Sequence, residues 1–270
     1  MTTLDQTPAE AGFVPTVLAA LQAKTDLAGT ATARYLCRAA MAGVIIGLLV
    51  LANYTVSAML GGSVGRLAGA AVFGLALTFI YFSRSELTTS TMMVASVGVY
   101  YSRMRAWAAL RLMGLCLLGN ALGGLVVAVL VRFSTLLSGP TLEIAEHSVQ
   151  TKLGYLAAGA AGYGDLFVRA IGCNLLINLA MLLVYKGTLH SEGGKIAVLW
   201  SGVFLFVVLG FEHSVANTVL FAMYGLSHGI DVLAAVVAVV VAFAGNLVGG
   251  GLLVGVTYAY LNGRRAGSAG

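Results

Sequence analysis

Charge is what this chain has least of. Asp, Glu, Lys and Arg together make 9 % of its 270 residues, against about 25 % in an ordinary soluble domain. Proline occurs three times and tryptophan twice. So few charges cannot cover a soluble protein of this length, and so much apolar surface cannot be buried in one core. A soluble enzyme, a nucleic-acid binder and a disordered chain are therefore excluded. The three cysteines, Cys37, Cys116 and Cys173, form no CxxC pair or disulfide framework and lie in or beside apolar stretches. No HExxH, GxSxG, phosphate-binding loop or metal-spaced cluster occurs. No catalytic set, metal or cofactor is expected. Residues 1–12 are polar and do not read as a cleavable signal peptide.

What is present is apolar: 59 % hydrophobic residues and a mean hydropathy of +0.95. The 35 glycines are about twice the usual share, as in membrane helices that cross closely. Residues 13–36 alternate Phe13, Val14, Val17, Leu18, Leu21 and Leu27 with Lys24, Asp26 and Arg34. That spacing predicts an amphipathic helix at the membrane surface, too polar to span. Six apolar stretches follow, near 39–60, 67–100, 107–131, 164–186, 196–226 and 232–261, each reaching the roughly 20 residues a span needs. The expected domains are an N-terminal segment 1–36, a six-helix membrane domain 37–262 with halves near 37–135 and 164–262, and a tail 263–270.

The second and fifth stretches are interrupted, at Ser83-Arg84-Ser85-Glu86-Leu87-Thr88-Thr89-Ser90-Thr91 and at Gly210-Phe211-Glu212-His213-Ser214-Val215-Ala216-Asn217. Ionisable groups and irregular backbone at membrane depth are tolerated where they face a cavity or the protein interior. Shifting the chain by 126 residues superposes the interruptions: Glu86 on Glu212, and LGNALGG (118–124) on AGNLVGG (244–250). Three spans per half is an odd number, so the halves enter the membrane in opposite directions. The expected fold is an all-α membrane protein with six transmembrane helices in an inverted repeat, its second and fifth helices broken near the midplane, as in transport sites.

Basic residues predict the orientation. Lys24, Arg34, Arg38, Arg103, Arg105, Arg111, Lys186, Lys195, Arg264 and Arg265 fall on the side of the termini, ten against Arg66, Arg132 and Lys152 opposite. Both termini are then expected in the cytoplasm, in a plasma (inner) membrane.

His213 is the histidine that falls well inside a span, within a break and beside Glu212 and Asn217. It reads as a central protonation site, since histidine titrates nearest neutral pH. Thr88, Thr89, Ser90 and Thr91 can cap the half-helix that follows and also face a pore. Its N-terminus favours anions. Glu86 and Glu212 are expected to brace their own breaks by accepting backbone N–H bonds. Asn120 and Asn246, with glycine neighbours, are expected to bond between helices. His147, His190 and His228 fall in expected loops and receive no role.

GFEHSVAN (210–217) resembles the signature of the formate/nitrite transporter family, and SELTTS (85–90) resembles that family's E-L-F-T-S break. RAAMAGVIIG (38–47), LGNALGG, RAIGCN (169–174) and AGNLVGG resemble its other motifs in order, so the resemblance covers about residues 16–262. It implies a homopentamer of aquaporin-like protomers in the lipid bilayer, each with a pore for a small monovalent anion or its weak acid, such as formate or nitrite. By the same resemblance His213 matches the central pore histidine and Thr89 the loop threonine facing it. Asn174 matches a pore asparagine, and Asn217 ends the histidine motif. Phe73 and Phe206 match an outer apolar ring, Leu77 and Leu87 an inner one.

Two positions depart from the pattern. Thr88 stands where the family usually has Phe, which implies a wider or wetter inner ring. Ala158 stands where a vestibule lysine is common, with Lys152 six residues earlier; either a local insertion restores that lysine or the vestibule lacks it. The expected mechanism has vestibule charge drawing an anion in, and a proton from His213 or from a water it orders letting it cross the rings as neutral acid. A channel for small neutral solutes is the alternative, although it would place Asn-Pro-Ala at both breaks and neither break contains proline.

Overall fold

The structure is a computed structural model that describes residues 12–263. The first eleven residues and the tail from 264, with Arg264 and Arg265 of the charge count, lie outside the described residues. Among the described residues all regular structure is helical.

The amphipathic segment forms α1 (Phe13–Thr30), which buries Phe13, Val17 and Leu21, one residue per turn along one stripe. Ala31 leaves the helical region at φ −144° and ends it. Residues 32–36, expected to continue α1, instead open α2 (Thr32–Leu60). Gly61, at φ 65°, turns the chain into α3 (Gly62–Phe73), which passes a slight hitch at Gly74 into α4 (Leu75–Phe82). After the first break come α5 (Thr88–Tyr100) and α6 (Ala106–Arg132).

The connection expected after α6 is itself a helix, α7 (Gly139–Ala157), started by Pro140 in its first turn and burying Thr141, Ala145 and Val149. His147 therefore sits on a helix and not in a loop, and it is exposed. His228 ends α10, while His190 lies in irregular chain before α9. The chain continues through α8 (Gly159–Tyr185), α9 (Glu192–Val208), the second break, α10 (Ser214–His228) and α11 (Val232–Asn246). Ser191 caps α9 and Asp231 caps α11, each accepting the N–H three residues on. A π-helical segment, Leu247–Val256, leads into the short α12 (Thr257–Leu261).

Five stretches are long and apolar enough to cross a bilayer: 32–60, 62–82, 106–132, 159–185 and 232–261. Five of the six expected stretches are therefore present as long helical stretches, and the fifth expected one is not. The fifth expected span divides into 17 and 15 residues around its break, each piece short of a membrane's thickness. In the second expected span, Gly62–Phe82 already has crossing length before its break. Large apolar side chains such as Leu122, Val126 and Leu130 on α6 are exposed, as a protein whose solvent is lipid permits.

The helices cross closely. α2 packs along α6, and α8 along α11 and the π segment. Glycine is required at the crossings: a Cβ on Gly123 would lie 1.8 Å from the Ala40 carbonyl oxygen, and one on Gly249 2.1 Å from that of Ile171. These contacts press both broken regions against the middle of the bundle.

Candidate functional site

The two breaks are built alike. At the first, the Glu86 N–H donates to the Arg38 carbonyl at 3.1 Å. Asn120 Nδ2 donates to the Ala39 and Glu86 carbonyls, both at 2.8 Å, and its Oδ1 accepts from Thr88 N–H at 3.1 Å and Thr88 Oγ1 at 2.7 Å. At the second, the Glu212 N–H donates to the Arg169 carbonyl at 3.3 Å. Asn246 Nδ2 donates to the Ala170 and Glu212 carbonyls at 2.8 and 3.0 Å, and its Oδ1 accepts from Ser214 N–H at 2.9 Å. Each carboxamide thus ties two carbonyls and caps a half-helix from a neighbouring helix. Thr88 Oγ1 is spent on Asn120 and caps nothing within α5, whose N-cap residue makes no side-chain cap bond.

The glutamate side chains do something else. Neither carboxylate accepts a backbone N–H among the described residues, which corrects the expectation for Glu86 and Glu212. Glu86 accepts from Lys24 of α1. Glu212 accepts from Lys152 of α7 at 2.6 Å and from Asn217 Nδ2 at 2.8 Å. Both pairs are largely buried, where a carboxylate needs a partner to remain ionised. α7 ends at Ala157, Gly159 turns the chain at φ 65°, and Lys152, six residues before Ala158, reaches the second break.

The breaks meet at their tips. Thr89 Oγ1 lies 3.0 Å from His213 Nε2. His213 is also the N-cap of α10, its Nδ1 accepting from Ala216 N–H at 3.0 Å. An amide N–H can only donate, so Nδ1 carries no proton and Nε2–H points to the threonine hydroxyl. The imidazole is therefore neutral in this arrangement. On one side His213 stacks on Phe206 at 5.8 Å between centroids, and Phe206 meets Phe73 edge-on at 6.1 Å. Leu77 and Leu87 are buried, at 2 % and 4 % exposure, and line the small cavity on the other side.

Asn174 is fully buried, and its amide is occupied by protein. Nδ2 donates to the Asn246 carbonyl at 2.7 Å and to the Thr89 carbonyl at 3.2 Å, and Oδ1 accepts from Asn178 at 2.7 Å. Asn178, which no sequence motif marked, also donates to the Thr89 carbonyl at 3.1 Å. The two amides fix the residue that faces His213. The signal for Asn178 is its position one turn after Asn174, in the apolar part of α8 that follows Arg169.

Beyond the aromatic pair an open vestibule of about 990 Å³ is lined by Lys152, Arg169, Arg66, Glu212, Tyr155 and His147, among others. No cluster of three or more metal-ligating side chains occurs among the described residues.

Broken apolar helices that meet at a polar pair inside a bundle, with a cavity on each side, are the architecture of a membrane channel or transporter. The chain belongs to the formate/nitrite transporter family, whose model matches residues 13–260. Such a family is one of channels and transporters, not of enzymes. The chain is 33 % identical to a nitrite transporter, NirC, of Salmonella typhimurium over 196 residues, covering 71 % of this chain and 68 % of the relative. It is 29 % identical to a formate channel, BtFdhC, of Bacillus thuringiensis over 223 residues, covering 81 % and 83 %. Among solved structures, an FNT family ion channel superposes with a TM-score of 0.82 at 26 % identity, covering 92 % of this chain and 98 % of that one. A pentameric formate channel with formate bound superposes at 0.68 and 24 % identity, covering 87 % and 99 %, a likeness of fold.

Proposed function

We propose that this protein passes small monovalent anions, formate or nitrite among them, or their conjugate weak acids, across a bilayer. The observation that carries the reading is the Thr89–His213 hydrogen bond joining the two breaks between apolar constrictions. The names of the relatives support the substrate class. In this reading the membrane domain 37–262 comprises six spans in two inverted halves, the divided fifth span being α9 and α10 together. Both termini face the cytoplasm from an inner membrane. The homopentamer rests on the pentameric neighbour.

The physical obstacle is the cost of a bare anion in an apolar pore. Lys152 and Arg169 draw the anion into the outer vestibule. At the centre, the Thr89 hydroxyl, which accepts from the Nε2–H of a neutral His213, donates its own proton in a hydrogen bond to a water and holds it beside the anion. That water gives its proton to the anion's oxygen, and the hydroxide left behind is neutralised by a proton from the vestibule. The neutral acid then passes Phe73 and Phe206 or Leu77 and Leu87. Asn217, through Glu212, holds the histidine break. The ring need not become imidazolium, which would set an Nδ1–H against the Ala216 N–H. Chloride, whose conjugate acid is strong, is excluded.

The test is uptake by liposomes of the purified protein, with formate, nitrite, chloride and water compared at pH 5 and pH 7. Fast formate and nitrite uptake that grows at pH 5, with slow chloride, is expected. Water or glycerol permeation without acid uptake would move the function to neutral solutes.

A further inference from the structure

The mouth bordered by α1 holds a cavity of about 210 Å³ that differs in kind from the outer vestibule. Lys24, Arg38 and Arg84 line it against one carboxylate, Glu86. The outer vestibule spreads Arg66, Lys152 and Arg169 against Glu143 and Glu212 over about 990 Å³. The small mouth therefore carries the larger net positive charge in the smaller volume. Lys24 is committed to Glu86, while Arg38 and Arg84 form no ion pair among the described residues.

Ser90 lines the same cavity. It is 7 % exposed, and its Oγ has no hydrogen-bond partner. A buried hydroxyl left unbonded is costly and uncommon. The residue 126 positions on is Ala216, which offers no hydroxyl and whose N–H is taken by His213. The second break has an unbonded buried hydroxyl of its own, Ser214 Oγ, but that residue is 0 % exposed and lines neither cavity, so Ser90 is the one of the two that borders a charged mouth.

Arg84 adds an independent observation. It ends α4 in the left-handed region at φ 54°, with Arg84 N–H on the Tyr81 carbonyl and Ser85 N–H on that of Ile80. The same pair of bonds ends α9, and there the left-handed position is Gly210 at φ 65°. Glycine is the unstrained residue for this turn. The first break holds an arginine where the second holds glycine, and strain of this kind is kept where a side chain is needed.

We propose that Ser90, Arg84 and Arg38 form an anion-loading site confined to this mouth, which holds a small carboxylate or nitrite before it meets Leu77 and Leu87. The site rests on the anion reading above. It makes the two faces of the protein saturate differently: the α1 face half-saturates at a lower formate concentration than the vestibule face.

The test uses right-side-out and inverted membrane vesicles containing the full-length protein, with formate uptake measured against concentration. Ser90→Ala removes a hydroxyl that bonds nothing in the fold, and Arg84→Gly relieves a left-handed turn, so neither variant should lower the melting temperature. In the orientation that presents the α1 face, half-saturation should rise about tenfold for Ser90→Ala, the worth of one hydrogen bond to a charged group. Arg84→Gly should raise it too. In the other orientation neither should change it. No shift in either orientation, or equal shifts in both, would overturn the site while leaving the anion reading intact. Wild-type vesicles that carry no formate at all would overturn that reading, and the site with it.

Discussion

Asn246→Ala removes one side chain and strands two buried groups. The Glu212 carbonyl loses its donor and the Ser214 N–H its acceptor, while the Ala170 carbonyl, inside α8, keeps its helical N–H. Asn246 is fully buried, so no bulk water replaces the bonds. Each buried polar group left unpaired costs about 1–3 kcal/mol. Two of them set a range of about 2–6 kcal/mol, and local relaxation should bring the loss towards its lower end. At about 2–4 °C per kcal/mol for a chain of this size, melting of the purified protein in detergent should fall by about 4–8 °C. Asn120→Ala strands three groups at the first break, the Glu86 carbonyl and the N–H and hydroxyl of Thr88. Its loss should equal or exceed that of Asn246→Ala. Differential scanning fluorimetry reads both. A shift under 2 °C for either variant would refute the view that these carboxamides, and not the glutamates, hold the breaks.

Three further outcomes follow from the same geometry. Lys152→Met leaves the Glu212 carboxylate with Asn217 alone and should cost about 3–5 kcal/mol by thermal melting; adding Glu212→Gln should recover the larger part. Thr89→Val keeps the side chain's shape and deletes the partner of His213 Nε2, so formate uptake should fall severalfold while stability drops by only about 1 kcal/mol. Gly249→Ala drives a Cβ to 2.1 Å from the Ile171 carbonyl and should cost about 1–3 kcal/mol, whereas Gly154→Ala, with open space around it, should be tolerated.

Much of the candidate site can be read from short motifs because its groups are local to them. His213, Thr89 and the two breaks stand in GFEHSVAN and SELTTS, and the 126-residue shift already pairs Asn120 with Asn246. The glutamates' partners are not legible this way. Lys24 is 62 residues from Glu86 and Lys152 is 60 from Glu212, and nothing in a helical period fixes which cation arrives. The carbonyls of Arg38 and Arg169, which receive the glutamate N–H groups, escape the 126 shift because those arginines stand 131 residues apart. α7 is missed because its buried stripe of Thr141, Ala145 and Val149 is small and half polar, a weak apolar period. The π segment contains Gly249, Gly250 and Gly251, where a Cβ would meet the Ile171 carbonyl, Asn178 Nδ2 and Ser96 Oγ, close approaches that hydropathy does not register. Asn174 is recognisable as a polar residue at depth, but its commitment to Thr89, Asn178 and Asn246 depends on how three helices meet.

The most direct test of the account is the pH slope of formate uptake in liposomes, wild type beside His213→Ala. The acid fraction of a carboxylic acid with a pKa near 4 changes about tenfold per pH unit above it. If a water held at the Thr89–His213 pair supplies the proton, wild-type uptake should rise from pH 7 to pH 5 less steeply than that. His213→Ala should be slower and should track the acid fraction, because only acid formed in bulk can then cross. Identical slopes for the two proteins would contradict proton delivery at the Thr89–His213 pair.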